Sequence, residues 1–214
     1  MNYTIDRVQI KENSKTLLGN NLFGKTWLMA LVACLIQSAI LSLCSQIPYI
    51  GFVGNIILTG PLTMGLSLVF MKLVRNHPEV DLGDMFFSFS QRFSKDLMLG
   101  LMIFVFTFLW SLLFIIPGII KGYAYSMAYY VSLDHPDWGW KECIDESMRI
   151  TQGHKGELFV LDLSFVGWYL VGALCLGVGA LWVTPYHMTA QANYYEALKA
   201  TAQPTYQAPV QPVQ

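Results

Sequence analysis

The chain has 214 residues, 54% of them hydrophobic and 13% charged, with a formal net charge of -1. A globular surface draws on roughly 25% charged residues, so this composition excludes an ordinary solvated domain, and the near-neutral balance excludes the clustered basic face that nucleic acid requires. The charges are also segregated: Thr26 to Met71 is 46 residues without Asp, Glu, Lys or Arg, and Leu97 to Ile120 is another such run of 24. A spanning helix takes about 20 apolar residues, so the first run holds two spans and the second holds one. The predicted class is an all-α polytopic membrane bundle of about six spans, forming one domain over residues 1–200 with a disordered, proline-containing tail at 201–214.

In chain order, Ile5 to Asn21 is polar with scattered apolar positions and predicts a short helix on the membrane surface. A first span follows over Thr26 to Ile47, where Ala30, Cys34, Ser38 and Ser42 recur every four residues as a small-residue stripe suited to close helix packing. This run starts too late and runs too long for a cleavable signal core. Pro48 to Gly51 turns the chain into a second span reaching Met71, with a kink expected at Gly60-Pro61. The charged loop from Lys72 to Lys95 puts Phe86, Phe89 and Phe93 on one helical face, which predicts a second interfacial helix.

A third span covers Leu97 to Ile116, and after Pro117-Gly118 a short fourth runs from Ile119 to Leu133. Asp137 is placed to cap an amphipathic helix whose Trp140, Ile144, Met148 and Thr151 share one side, with Gly153 as its stop. Leu158 to Val183 is a fifth span ending at a turn around Pro185, and His187 to Leu198 is a more amphipathic sixth. Prolines 48, 117 and 185 thus mark three hairpin turns at nearly equal spacing, each hairpin preceded by an interfacial segment, which suggests a three-fold repeat. Placing both termini in the cytoplasm puts twelve of the thirteen lysines and arginines inside, the exception being Lys121.

That exception makes Lys121 a candidate binding residue. A lysine near the outer interface either snorkels to water or anchors an anionic headgroup or substrate, with Tyr125 one turn on and Tyr186 and His187 arriving at similar depth from the third hairpin. Gly118, Gly122 and Ser126 form a second small-residue stripe. Asp162, inside the fifth span, is either a structural hydrogen-bond partner or a proton or cation site. No catalytic motif is present, the four cysteines and four histidines show no metal-ligand spacing, and no cofactor is implied.

Three ordered motifs, Ile115 to Ala128, Leu161 to Trp168 and Gly177 to Tyr186, together with Asp134-His-Pro-Asp137, resemble the bacterial integral membrane family known as domain of unknown function 975. The resemblance covers Ile5 to Lys199 and implies a multi-span protein of the bacterial cytoplasmic membrane, with no activity attached. The expected function is that of a non-catalytic membrane component binding lipids, another membrane protein or a second copy. A small transporter or export/immunity factor for an amphipathic compound is the alternative.

Overall fold

The computed structural model describes residues 5–19, 24–47, 50–75, 81–174 and 178–202. All regular structure among them is helical: α1 (Arg7–Leu17), α2 (Lys25–Ser45), α3 (Ile50–Val74), a 3₁₀ turn (Leu82–Phe86), α4 (Phe87–Gln91), α5 (Phe93–Leu113), α6 (Ile115–Tyr125), α7 (Ala128–Asp134), α8 (Trp140–Ile150), α9 (Lys155–Leu174) and α10 (Val178–Ala202). Four of these are long and apolar enough to cross a membrane, over Lys25–Ser45, Val53–Val74, Phe93–Leu113 and Lys155–Leu174.

The helix α3 is the centre of the bundle. Its apolar window is 56% buried, against 22%, 17% and 22% for those of α2, α5 and α9, so α3 faces protein while the other three turn most of their surface outward. Close approach at the centre depends on glycine. A Cβ on Gly100 of α5 would sit 2.5 Å from Gly60 Cα of α3, so the two backbones cross where neither residue has a side chain.

The expected proline-turned hairpins are corrected at several points. Pro117 lies in the first turn of α6, where its missing N–H has no intrahelical acceptor to lose; the reversal occurs at Phe114, which is extended (φ -157, ψ 141). Pro185 is internal to α10 and makes no turn. Packing of α10 against α1, α2, α3 and α9 outweighs the ~3 kcal/mol that an internal proline forfeits. Pro61 is likewise carried inside the continuous α3, and Pro48 falls outside the described residues. The fourth expected span is broken into α6 and α7, and the sixth is one 25-residue helix too polar to meet the same criterion as the other four. Pro117 and Pro185 therefore occupy inequivalent positions, which gives no support to a proline-marked repeat, although the order of short helix, long helix and return recurs three times among the described residues.

The short helices follow their polarity. Asp6 caps α1, its Oδ1 accepting from the backbone N–H groups of Val8 and Gln9 at 2.9 and 3.5 Å. That helix is docked against α10 with Ile10 and Ser14 buried, where the sequence placed it on the membrane surface. The cap of α8 is Gly139, without a side-chain bond, in place of Asp137. Cys143, Ile144, Ser147, Ile150 and Thr151 are buried on the inner side of that segment, and Gly153 ends it with φ +88. Phe86, Phe89 and Phe93 form a partly exposed ring series with centroids 6.2 and 5.7 Å apart, straddling the 3₁₀ turn, α4 and the start of α5. The helix α10 runs to Ala202, and residues 203–214 of the expected tail lie outside the described residues.

Candidate functional site: the polar seam between α1, α9 and α10

On α9, Asp162, Phe165 and Tyr169 recur at spacings of three and four and so share a face; on α10, His187 and Gln191 do the same. Packing of α9 on α10 brings the two sets together. His187 Nε2 lies 2.8 Å from Asp162 Oδ1, and Gln191 Nε2 donates to the same oxygen at 3.4 Å. The other ring nitrogen, Nδ1, is 3.4 Å from the Tyr169 hydroxyl. An ionised carboxylate only accepts, so Asp162 fixes Nε2 as the protonated nitrogen and leaves Nδ1 to accept from Tyr169. The Tyr123 hydroxyl of α6 faces Asp162 from the third side. The Asp162 and His187 side chains are 23% and 19% exposed, which makes this a hydrogen-bonded ionisable pair set among apolar helices.

A second layer connects this pair to α1. The Phe165 ring stacks on His187 with centroids 4.6 Å apart, and Lys11 Nζ sits 4.8 Å from the centroid of the same ring. Lys11 Nζ also donates to Ser164 Oγ at 3.2 Å, and the Tyr186 hydroxyl donates to the Lys11 carbonyl at 3.2 Å. Burial lowers the Lys11 pKa from its ordinary value. Further along, Asn193 Nδ2 donates to Ser14 Oγ at 2.7 Å. Between α1 and α9 opens a cavity of about 640 Å³ lined by Asp6, Arg7, Lys11, Glu157 and Ser164, with Val160 on its apolar wall.

The predicted site residues therefore separate into two groups. Asp162, His187 and Tyr186 meet in the seam, with Tyr186 packed edge-on against Phe165 at 5.0 Å. Lys121 and Tyr125 lie elsewhere, toward α5: Lys121 Nζ lies 5.1 Å from the Trp110 centroid and 4.0 Å from Met148 Sδ, and Tyr125 packs on Phe106 beside Trp110. Lys121 and Tyr123 are two residues apart on α6 and project from nearly opposite sides, at ~100° per residue, so Lys121 faces away from Asp162. Of the stripe residues, Gly118 is pressed on Ser111, where a Cβ would overlap the serine, while Gly122 has Thr107 at 3.9 Å. Ala30 is buried and Cys34 half-buried, whereas Ser38 and Ser42 are exposed, so the α2 stripe is covered only in its first half. No group of three or more His, Cys, Asp or Glu side chains that could hold a metal occurs among the described residues.

One charged end of the bundle carries an ion network that sequence reading did not assemble. Asp134, at the end of α7, accepts from Arg75 (2.7 Å), Lys199 (2.6 Å) and the Tyr195 hydroxyl (2.8 Å), and Arg75 also reaches Glu196 at 2.7 Å. Burial alone would raise the Asp134 pKa; the three donors outweigh it and hold the carboxyl below its ordinary value. Nearby, fully buried Asp96 accepts from Ser88 at 2.6 Å and lies 3.6 Å from Arg92, whose guanidinium clasps Ser132.

The fold and this surface define a helical bundle with apolar, membrane-compatible helices. The chain belongs to the family described as Protein of unknown function (DUF975), whose model matches residues 1–121 and 112–202. No curated protein and no solved structure matches it.

Proposed function

We propose that the protein is a non-catalytic, multi-pass component of a bacterial cytoplasmic membrane that works by holding lipid, with another membrane protein or a second copy as its protein partner. The carrying observation is the outward display of large apolar side chains on helices already long enough to span, including Phe108 at 59%, Leu112 at 71%, Leu113 at 62% and Leu170 at 64% exposure. Such a surface is stable only against hydrocarbon or another apolar surface. Six passes arranged as α2/α3, α5/α6–α7 and α9/α10 fit the sequence-adjacent packing of these elements, and both termini on the cytoplasmic side fit the distribution of lysine and arginine. A binding role without catalysis fits the state of Asp134, whose carboxylate is held by three internal donors. Native mass spectrometry of the full chain released from its membrane tests this reading. Retained phospholipid is the expected result, and a fully stable, lipid-free protein would overturn it.

A second reading is a small transporter or export/immunity factor for an amphipathic compound, favoured by the string of Tyr123, Asp162, His187 and Tyr169 running between α6, α9 and α10. Uptake into proteoliposomes that Asp162→Asn abolishes would support it.

A further inference from the structure

The cavity between α1 and α9 is formally balanced: Arg7, Lys11 and the capping Asp6 line its α1 wall and Glu157 its α9 wall. Neither cation lies within 4.0 Å of a carboxylate among the described residues, so both keep positive charge to offer. The acids are differently placed. Glu157 Oε2 is engaged by His154 and Tyr194, each at 3.0 Å, and the Ile5 backbone also bonds this carboxylate, while Asp6 uses Oδ1 for the helix cap and has no bond at Oδ2 among the described residues. Lys11 with the Ser164 hydroxyl marks one end of the cavity. Glu157 marks the other, roughly 10 Å away along α9 at ~1.5 Å per residue.

We propose that this cavity binds a zwitterionic headgroup bearing a phosphate and a primary ammonium, as in an aminophospholipid, with the phosphate at Lys11, Arg7 and Ser164 and the ammonium at Asp6 and Glu157. This deepens, and rests on, the lipid-holding reading above. A bare phosphate would bring surplus negative charge next to two carboxylates, whereas a phosphate carrying its own ammonium leaves both signs matched. A primary ammonium donates N–H bonds to carboxylate oxygens, which a quaternary ammonium cannot do. A lipid is the source that fits the surroundings, because α9 continues past Ser164 with Trp168 and Val171 on the same face, exposed at 57% and 56%, a track for acyl chains.

The test is native mass spectrometry of the full-length protein released from nanodiscs of equal phosphatidylethanolamine, phosphatidylglycerol and phosphatidylcholine. Phosphatidylethanolamine is expected to be retained about tenfold over the other two, the scale of one charge-assisted hydrogen bond. Asp6→Asn keeps the α1 cap, since asparagine caps as well as aspartate, and is expected to erase that preference; Lys11→Gln and Ser164→Ala are expected to weaken all three lipids alike. Equal retention of phosphatidylglycerol, or an unchanged preference in a natively folded Asp6→Asn protein, overturns the proposal. Displacement by soluble phosphoethanolamine at concentrations matching the lipid overturns its assignment to a lipid. Lipid retained without headgroup preference refutes this inference alone, and absence of any lipid refutes the lipid-holding reading with it.

Discussion

The clearest stability prediction concerns Asp134, where α3, α7 and α10 are tied together by one carboxylate. Its side chain is 7% exposed and takes three donors, from Arg75, Lys199 and Tyr195. Asp134→Asn preserves the shape and removes the charge. Breaking a buried ion pair from one side costs ~3–5 kcal/mol, but Arg75 and Lys199 are 33% and 35% exposed and can turn to water, which brings the expected loss to ~2–3 kcal/mol. At roughly 2–4 °C per kcal/mol for a chain of this size, the melting temperature in detergent should fall by about 4–12 °C. The pH dependence follows from the sign of the shift. Because the folded carboxyl titrates below its ordinary value of 3.8, its contribution is complete above that value and is lost as pH falls through the folded one. Wild type and variant should therefore differ at pH 7, and the gap should narrow as pH is taken below 3.8. A difference under about 2 °C at pH 7, or one that shows no narrowing as pH falls below 3.8 for as long as both proteins stay folded, would refute the assignment of the network as a structural tie.

Three further outcomes are expected. Gly100→Ala should lower the melting temperature by several degrees, since its Cβ would overlap the Gly60 backbone, while Gly167→Ala, with nothing within 4 Å, should leave it unchanged; thermal melts of the two variants side by side decide this. Lys121→Ala should cost no more than ~1 kcal/mol, the scale of a cation–π contact, and leave lipid retention intact, whereas Lys11→Gln should reduce retention in the same mass spectra. Gly118→Val should loosen the α5–α6 contact at Ser111 and shift Trp110 fluorescence; an unchanged emission maximum would count against the tight packing of that pair.

The membrane-like class was legible because the absence of charge over long runs is a one-dimensional property. The amphipathic α8 was legible for a related reason: its buried Ile144 and Thr151 recur on the helical period, and Gly153 supplies the positive φ that ends the segment. The turn positions were read less well. Proline marks a place where a helix loses a bond, but whether the chain turns there depends on what packs alongside; α10 carries Pro185 because four helices hold it, and Phe114 turns the chain without proline. Asp162 was singled out as a polar residue inside an apolar span, and His187 as a neighbour of Lys121 in depth. Their pairing, the part played by Lys11, Ser164, Tyr169 and Gln191, and the turning away of Lys121 were not readable, although Asp162, Phe165 and Tyr169 already lay on one helical face.

By itself, then, the sequence determined which segments could not live in water and that these would be helices, because backbone groups in hydrocarbon must be satisfied within their own segment. It also determined which charges lay outside those segments. Only the tertiary structure decided which of those charges meet: residues as far apart as Arg75, Asp134 and Lys199, or Lys11 and Ser164, come together through the crossing of helices around α3. Crossing geometry is set by where small residues such as Gly60 and Gly100 allow backbones to touch, and that is a property of pairs of helices, not of any one of them.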